Sequence, residues 1–338
     1  MSQSDMSQSD MSQFNMSQSN MSQSNMSQSN TDHYIEKTHV IHSFSPDHRP
    51  VCRVKAGDTV VFETYDCHMG QLLPEGSDFA HVDHRLANPA TGPIYIEEAC
   101  PGDMVLVEIL DIGLDQVGIL DKGPTGGALK GYFPEYVIRR LPVKDGTIFY
   151  GELEIPVRPM IGVIGTAPRH GEESTLTAKD HGGNMDCTSI APGASLYLPV
   201  NVPGALLAMG DLHAIMGDGE CGNCGVEIGG RVTVRVDVLK SPDLPWPLVE
   251  LAGRWIVIAS GETVDRACAQ AVEQMFGFLT AKAGLSRLDA GMYIDMFGSL
   301  VVCQIVNPYK TVRLEMPKWP LEQKGFYGFG SKAREDGL

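Results

Sequence analysis

One glycine-rich stretch of the chain, residues 211–227, gathers side chains that can bind a metal ion. It opens with Asp211-Leu-His213, and alternate side chains of a β-strand point to the same face. Asp211 and His213 can therefore converge on one ion while Leu212 faces the other way. An imidazole beside carboxylates suits zinc best, whereas calcium, the alternative, needs more oxygen ligands. Acidic residues near glycines often only form turns. Here that interpretation would have to account for all of these potential ligands at once, so metal binding is favoured.

The same stretch continues with a short turn, Gly217-Asp-Gly-Glu220. Glycine tolerates the positive φ of tight turns, so this turn can bring Asp218 and Glu220 back toward the ion. Cys221-Gly-Asn-Cys224 comes next, but no second cysteine pair stands at zinc-ribbon distance. Two small residues in a glycine-rich turn are the favoured interpretation, so the carboxylates are the candidates for chemistry.

A second glycine-rich motif, His181-Gly-Gly-Asn-Met-Asp186, lies earlier in the chain. Its glycines, Gly183 among them, would let backbone amides approach a ligand closely. Asn184 can hydrogen-bond an amide or carbonyl group, and Asp186 can bind a metal. A tight loop with an Asx turn is the plain alternative. Because only a short strand excursion separates the two motifs, we expect this one to form the opposite wall of the site.

Two further polar segments stand near predicted strand ends, Phe62-Glu-Thr-Tyr-Asp66 with Gly70-Gln71 and Asn88-Pro-Ala-Thr-Gly-Pro-Ile94. Taken as patterns alone, they favour edge-strand polar residues and a Pro-Gly loop. Neither the Gly-x-Ser-x-Gly elbow of serine hydrolases nor a P-loop occurs in the sequence.

Strands dominate the elements that must position these residues. Short β-branched runs between turn signals predict strands at 39–44, 51–54, 59–65, 92–97, 104–112, 194–199, 205–209 and 231–239, with an irregular segment at 119–131. Alternation with period two at this spacing favours an antiparallel sandwich or barrel. The predicted fold is therefore mainly β, a sandwich or barrel-like body.

Two helices are predicted in the C-terminal third. Apolar residues spaced three and four apart run from Val264 to Gly277, with Thr263 in front and the glycine as the stop. A second helix is predicted over 285–297, where Ser286 can cap the first turn. Helices among strands make this third a smaller α+β part, and we expect them to cover one sheet face.

Composition divides the chain into regions. Residues 1–30 repeat the pentad Met-Ser-Gln-Ser-Asp/Asn, which is typical of a disordered leader or an expression tag and lacks the features of a signal peptide. A β-rich sandwich region is predicted over 31–168, a site-bearing β and α+β region over 169–317, and a C-terminal arm over 318–338.

Charge and cysteine content restrict the partners. The formal net charge of −16 argues against nucleic acid or an anionic membrane and favours a neutral or cationic small ligand. No apolar run reaches the length of a membrane span. The eight cysteines have no framework spacing and no secretion signal precedes them, so reduced thiols in the cytoplasm are expected.

In order along the chain, these motifs resemble the acetamidase/formamidase family. The resemblance runs from about Thr38 to about Pro317 and rests on four landmarks. These are Phe62-Glu-Thr-Tyr-Asp66 with Gly70-Gln71, Asn88 to Ile94 running into Pro101-Gly-Asp103, His181 to Asp186, and Gly210-Asp-Leu-His213 with Gly217 to Glu220 and Glu227. The resemblance implies hydrolysis of short aliphatic amides such as formamide and acetamide, in some members γ-lactams, to a carboxylate and ammonia. It also implies a β-rich sandwich that assembles as a homo-oligomer, a dimer or a tetramer.

Amide hydrolysis needs a nucleophilic water, a polarised carbonyl and a proton for the leaving nitrogen, and a divalent metal can supply the first two. With the resemblance in hand, we expect Asp211, His213 and Asp186 to bind this metal. Glu220 is the expected general base that later protonates ammonia, and Asp218 is the alternative for that role. The Cys221-Gly-Asn-Cys224 segment departs from the family pattern, which puts any role of its thiols in doubt.

The substrate is expected to lie between Asp66 and the glycine-rich motif, with His181, Gly183 and Asn184 contributing contacts. Asp66 and Asn184 would orient its amide nitrogen and carbonyl. Two other functions compete with this one. A metal-dependent isomerase or oxygenase on a cupin-like barrel would need a His-x-His pair, which is absent. A metal-stapled sandwich that only binds small molecules would favour exposed aromatic platforms, yet aromatic residues make up only 7% of the chain.

Overall fold

The computed structural model describes residues 31–329, in which short strands alternate with turns. In chain order the strands are β1 (His33–Ile35), β2 (Val40–Ile41), β3 (Ser43–Phe44), β4 (Cys52–Val54), β5 (Thr59–Thr64), β6 (Ala90–Ile96), β7 (Met104–Leu114), β8 (Val117–Lys122), β9 (Val137–Lys144), β10 (Thr147–Tyr150), β11 (Leu153–Pro156) and β12 (Met160–Gly165). They continue with β13 (Glu173–Ser174), β14 (Ala178–Lys179), β15 (Gly182–Asn184), β16 (Ser195–Pro199), β17 (Leu207–His213), β18 (Glu227–Ile228), β19 (Gly230–Leu239), β20 (Leu248–Leu251), β21 (Arg254–Gly261), β22 (Ser299–Gln304) and β23 (Lys310–Pro317). Helices are α1 (Val264–Ala281), α2 (Arg287–Phe297) and α3 (Trp319–Glu322), with 3₁₀ turns at Phe79–His81 and His84–Leu86.

Two large sheets account for nearly all of these strands. One has nine strands in the order β1-β5-β19-β7-β16-β20-β21-β23-β22. The other has twelve, with β11-β10-β9-β8-β18-β17-β12-β15-β14 as its path and β6, which carries β2 and β4, added beside β17. Strand β17 thus lies in the interior of the twelve-stranded sheet and pairs with β12, β18 and β6.

The main hydrophobic core lies between the two sheets. The nine-stranded sheet contributes residues such as Phe62 and Val232, and the twelve-stranded sheet contributes Ile161 and Leu212, all fully buried. Burial of an aliphatic or aromatic side chain of this size contributes about 1.5–3 kcal/mol, so this layer dominates the stability of the fold. The predicted β-sandwich is confirmed.

A second core joins the nine-stranded sheet to the helices. In β21, Trp255 and Val257 belong to the core beneath the helices, whereas Ile256 and Ile258 belong to the core between the sheets. Both faces of this strand are buried, which explains its almost continuous apolar sequence. The helices cover one sheet face, as the pattern predicted, and the C-terminal third is the smaller α+β part.

Both predicted helix starts are confirmed. The Thr263 hydroxyl accepts a hydrogen bond from the Arg266 amide at 3.2 Å, and that of Ser286 accepts one from the Asp289 amide at 3.1 Å. The predicted end of the first helix is wrong, because α1 continues past Gly277 to Ala281. Gly277 faces the ring of Trp246 rather than a C-terminal turn.

The irregular segment expected at 119–131 is also partly wrong, since its first residues belong to β8, which pairs with β9 over its whole length. Both the 31–168 and the 169–317 regions supply strands to each large sheet, and residues 32–329 belong to one compact unit. From the expected C-terminal arm, Phe326 and Phe329 pack on Trp255 at ring-centroid distances of 5.8 and 5.7 Å. The leader at 1–30 and residues 330–338 lie outside the described part of the chain. In residues 31–329, no helix has both the length and the apolar composition that crossing a bilayer requires.

Candidate active site

Strand β17 delivers Asp211 and His213 to one place. Leu212 between them is fully buried in the core between the sheets. The Nε2 atom of His213 lies 3.8 Å from Oδ1 of Asp211. Strand β18 places Glu227 directly opposite His213, with its Oε1 atom 3.0 Å from Nε2. The strand pairing therefore brings two carboxyl groups to one imidazole.

Gly162 in strand β12 leaves room for two of the carboxyl groups because it has no side chain. A Cβ atom built on Gly162 would lie 2.6 Å from both Oδ1 of Asp186 and Oδ2 of Asp211. The two carboxyl groups, which belong to different motifs, therefore converge in the space that a side chain at position 162 would fill. The expectation that the second motif faces the first matches this placement.

The turn at 217–220 brings Glu220 to the same cluster. The amide of Gly219 donates to the carbonyl of Cys303 at 3.0 Å, and the amide of Ile305 donates to the carbonyl of Gly219 at 3.1 Å. These bonds fix the turn against the end of β22. The Glu220 carboxyl then lies within hydrogen-bonding reach of Asp186.

The cluster lines a cavity of about 130 Å³, formed by the carboxyl groups of Asp186, Asp211, Glu220 and Glu227 with other polar residues. Its further walls include Asn88, Asn184, Asn223 and Asn307 with the thiol-bearing Cys67 and Cys224. Within residues 31–329, no lysine or arginine lines it. The cavity therefore concentrates buried carboxyl groups, and His68, whose Nε2 atom lies 3.8 Å from Oδ2 of Asp121, is the lining side chain that can carry a positive charge.

Burial and mutual repulsion shift the carboxyl groups toward their protonated forms. Loss of solvation, with repulsion from Asp211, raises the pKa of Asp186 to about 7. Burial likewise raises the pKa of Glu227 to about 8. The pKa values of Asp211 and Glu220 lie well above the usual range, first because both are buried and then because of neighbouring carboxylates. Such shifts are typical of functional sites, where a cation or substrate is the missing partner.

The donor set fits a divalent cation. Ligand atoms of Asp186, His213 and Glu220 lie within 4.8 Å of one another, and so do those of Cys67, Asp211 and Glu227. The predicted ligands Asp186, Asp211 and His213 therefore fall in two adjoining groups of one buried cluster. Four buried atoms there have no hydrogen-bond partner: Nδ1 of His213, Oδ1 of Asp211, Oε2 of Glu220 and Oε2 of Glu227. Unsatisfied buried polar atoms are costly, and a bound cation would relieve that cost.

Backbone strain coincides with the cluster. Asp186, Asp211 and Glu220 have φ values of +44°, +58° and +42°, and Asn88 has +48°. The left-handed region costs a residue with a side chain about 1–2 kcal/mol. Other non-glycine residues of the described chain also have positive φ, but residues held in this region by their surroundings concentrate at functional sites, so the strain at these four positions is consistent with such a site.

Three amide side chains hold the carboxyl groups in place. Asn88 donates from Nδ2 to Oδ2 of Asp211 at 3.0 Å, and Asn307 donates from Nδ2 to Oδ2 of Asp186 at 2.6 Å. Asn184 finds complementary partners when its amide nitrogen faces the carboxylates, donating to both oxygens of Asp186 at 3.2 Å and to Oδ2 of Asp211 at 3.1 Å. The predicted Asn184 thus bridges two of the predicted metal ligands.

Other predicted residues do not enter the cavity. Asp66 accepts hydrogen bonds from the amides of His68 at 2.8 Å and Gly70 at 3.1 Å, so its carboxylate stabilises the loop that follows β5. His181 packs edge-on against Phe44, at 5.2 Å between ring centroids. Burial lowers the pKa of His181 to about 4, which keeps this ring neutral. Asp66 and His181 therefore support the walls of the site from behind.

Gly183 and Asp218 also make their contacts outside the cavity. Gly183 has φ +98° and allows the carbonyl of Thr177 to approach where a Cβ atom would stand. Asp218 forms a bidentate ion pair with Arg313, at 2.7 and 2.9 Å, and this pairing lowers its pKa. The structure therefore places Glu220 in the cluster and Asp218 outside it, which separates the two candidates for the base.

Several residues of the cavity received no role from the sequence. Glu227 was visible only as a landmark of the family resemblance, and Cys67 carried no signal of its own. Asn88 and Asn307 each precede a proline. The Asn-Pro dipeptide favours turns, and this was the only local signal in the sequence for these two residues. Cys224, expected to be a bystander, lines the cavity with its thiol 3.4 Å from Oδ2 of Asp121.

The fold and this site define a β-sandwich protein with a buried, carboxylate-rich cavity, and the chain belongs to the acetamidase/formamidase family. Residues 27–172 and 169–245 match that family. Every cavity residue discussed above except Asn307 falls in the matched ranges.

Individual relatives agree with this assignment. A formamidase of Methylophilus methylotrophus is 30% identical over 261 residues, which cover 59% of this chain and 64% of the relative. An acetamidase of Mycolicibacterium smegmatis is 27% identical over 262 residues, covering 58% and 64%. The matched stretch thus spans just under two thirds of the length of these relatives.

Solved structures cover more of the chain. A Bacillus halodurans acetamidase is 42% identical with a TM-score of 0.84, covering 86% of this chain and 99% of its own. A predicted acetamidase/formamidase of Thermoanaerobacter tengcongensis is 40% identical with a TM-score of 0.85, covering 88% and 99%. A γ-lactamase from Delftia acidovorans, 21% identical with a TM-score of 0.59, shares the fold.

Proposed function

We propose that this protein hydrolyses the C–N bond of short linear amides, such as formamide and acetamide, to a carboxylate and ammonia. The observation that carries the proposal is the buried cluster of Asp186, Asp211, Glu220 and His213, whose carboxyl groups line a cavity of about 130 Å³. The family and the named activities of its relatives support the same reaction class. A cavity of this volume favours a small substrate.

A divalent metal, zinc before calcium, is part of the proposal. Asp186 and Asp211, which converge over Gly162, would hold it together with His213, and buried atoms of Asp211 and His213 have no hydrogen-bond partner. When bound, such an ion supplies Lewis acidity, which polarises an amide carbonyl and favours the ionisation of water. Mixed imidazole and carboxylate ligands suit zinc, and an oxygen-rich shell would suit calcium.

Glu220 is the proposed general base. Its carboxyl group is buried, adjoins Asp186 and has an oxygen without a partner. A carboxyl group whose pKa lies well above the usual range can take a proton from the attacking water and return it to the leaving nitrogen. The substrate amide would be oriented by the amide side chains at the cavity wall, Asn184 above all.

The proposal has three further parts. They are activity on γ-lactams, assembly as a dimer or tetramer, and a cytoplasmic location. Light scattering coupled to size-exclusion chromatography would measure the assembly, and a γ-lactam in the substrate panel would test the first.

The experiment that tests the function is ammonia release from formamide, acetamide and a γ-lactam, with metal content measured in the same samples. We expect release by the wild type, and loss of both metal and release in Asp211→Ala and His213→Ala. Asp111→Ala and His39→Ala are matched controls on exposed residues and should keep both properties.

Two results would overturn the proposal. If the Asp211 and His213 variants kept metal and turnover, these residues would not form the site. If the wild type bound metal but released no ammonia from any amide, a metal-stapled sandwich that only binds small molecules would be the better interpretation.

A further inference from the structure

Leu176 differs from the other residues that line the cavity. Among those lining residues in the described part of the chain, it is the only one with a hydrocarbon side chain. The others offer carboxyl, amide, imidazole or thiol groups. Leu176 is 38% exposed, whereas Asp186 and Asp211 are 2% exposed. It therefore stands at the outer end of a cavity whose inner end is polar and buried.

The turn that carries Leu176 is fixed to the body of the protein. Thr175 is fully buried, and both its amide and its hydroxyl donate to the carbonyl of His42, at 3.1 Å each. The amide of Leu176 donates to the hydroxyl of Ser174 at 3.2 Å. The amide of Thr177 donates to the carbonyl of Ser174 at 3.0 Å. A side chain on such a turn has a defined position.

The same turn is held at a set distance from the polar wall. The amide of Asn184 donates to the carbonyl of Thr177 at 3.4 Å. Gly183 makes this approach possible, because a Cβ atom there would collide with that carbonyl. Leu176 and Asn184 therefore belong to one rigid unit, so the separation between the hydrocarbon and polar ends of the cavity is fixed by the backbone.

These two ends match the two ends of a short aliphatic amide. The amide group finds hydrogen-bonding partners among the inner carboxyl and amide side chains, whereas an acyl chain has a hydrocarbon partner only at Leu176. One water occupies about 30 Å³ in the liquid, so 130 Å³ leaves room for only a few heavy atoms. An acyl chain that grows outward from the polar end must soon meet this leucine.

We propose that Leu176 sets the upper limit on the acyl chain of the substrate. This inference rests on the proposed amide hydrolysis and adds the residue that determines its specificity. A hydrophobic contact of about one methylene changes discrimination by roughly 10-fold to 200-fold, so the leucine is large enough to separate neighbouring members of an amide series.

The test compares Leu176→Ala and Leu176→Phe with the wild type on formamide, acetamide, propionamide and butyramide. For each protein, kcat/KM for every amide is divided by the value for formamide, which has no acyl carbon beyond the carbonyl. We expect Leu176→Ala to raise the butyramide ratio by about tenfold, and Leu176→Phe to lower the acetamide ratio by a similar factor. Leu110→Ala, an exposed leucine of β7 remote in sequence from the cavity residues, is the matched control and should leave all ratios unchanged.

Circular dichroism and thermal melting establish that each variant is folded, and the partial exposure of Leu176 makes this the expected result. Ratios that stay at the wild-type values in both Leu176 variants overturn the inference while leaving amide hydrolysis intact. Loss of formamide turnover in a folded Leu176→Ala variant also overturns it, because formamide has no chain for the leucine to limit. A wild type that releases ammonia from none of the amides overturns the proposed function first, and this inference with it.

Discussion

Glu220 and Asp218 stand two positions apart on one turn, yet their environments are opposite. The Glu220 carboxyl is buried among other carboxyl groups, which raises its pKa well above the usual range. Asp218 is bound by the Arg313 guanidinium, which lowers its pKa. A general base must accept and later release a proton, so these opposite environments support the proposal that Glu220, and not Asp218, is the base.

We therefore expect Glu220→Gln to lower kcat/KM for formamide by about 10²–10⁴-fold, because the isosteric amide cannot accept the proton. Asp218→Asn, the matched control on the same turn, should change it by less than about tenfold, because the asparagine can keep one hydrogen bond to Arg313. Steady-state ammonia release measures both. The reverse order of effects would assign the base to Asp218.

The lack of a side chain at Gly162 also matters at the scale of single residues. Gly162→Ala would place a Cβ atom 2.6 Å from carboxyl oxygens of Asp186 and Asp211, which a folded protein must relieve by moving one of them. We expect this variant to lose bound divalent metal and about 10²-fold in kcat/KM, as misplaced catalytic groups do. Gly113→Ala in β7 has no atom within 4 Å of the new Cβ and is the control. Metal analysis and ammonia release decide the outcome, and equal behaviour of the two variants would contradict the role given to Gly162.

Among the elements, strand β23 provides one attachment of the turn at 217–220. Arg313 of β23 is 6% exposed and joins Asp218 to Glu315, at 2.7 Å on each side. Breaking a buried ion pair on one side leaves an uncompensated charge, and the turn that carries Glu220 loses one of its attachments. An element far away in the chain thus contributes to the position of Glu220, the proposed base.

For this reason Arg313→Met should destabilise the protein, by about 1–3 kcal/mol because Asp218 is 41% exposed and Glu315 keeps Arg254 as a partner, and lower kcat/KM by roughly tenfold. Arg254→Met is the matched control, since Arg254 also pairs with Glu315 but is largely exposed and does not contact Asp218. An exposed pair contributes only about 0–1 kcal/mol. Denaturant unfolding and kinetics on formamide test this, and a kinetic effect no larger than that of Arg254→Met would show that β23 does not position the turn.

On the scale of the whole molecule, the sandwich buries five carboxyl groups in one cavity, Asp121 among them, at a free-energy cost that its hydrophobic core must offset. In the folded protein the pKa of Asp186 is about 7 and that of Glu227 about 8, whereas the unfolded values lie near ~4. Between those limits the folded state binds more protons than the unfolded state. The stability of the metal-free protein must therefore fall as the pH rises through this window.

We predict that the protein treated with a chelator has a Tm at least about 2 °C lower at pH 8 than at pH 6. Adding zinc or calcium should raise the Tm, and more at pH 8 than at pH 6, because the ligands must lose their protons to bind it. Asp186→Asn removes one of the shifted groups and should weaken the pH dependence. Differential scanning calorimetry measures these values. A metal-free Tm that rises from pH 6 to pH 8 would contradict the assigned burial of the carboxyl groups.

Much of this architecture follows from local patterns. The alternation in 231–239 predicted β19, and the spacing after Thr263 predicted α1 with its cap. Gly277 was wrongly predicted to end the helix, because the sequence does not distinguish a glycine inside a helix from one that ends it. The contact with Trp246, which only the structure shows, makes the difference. Strand and helix periods are properties of the nearby sequence, whereas the end of an element is decided by what packs on it.

The sequence by itself determined the fold class, the family resemblance and the concentration of ligands at 181–186 and 211–227. Only the tertiary structure decided which of them meet. It brought Asp186, Asp211, Glu220 and Glu227 together in one cavity, the first two over Gly162. It added Asn88 and Asn307 from distant turns and left Asp66, His181 and Asp218 outside the cavity. The physical reason is that the residue type does not show whether a carboxylate faces a cavity, caps a loop or pairs with an arginine. Strand register, burial and the nearest charge assign its role, and these arise from contacts between segments far apart in the chain.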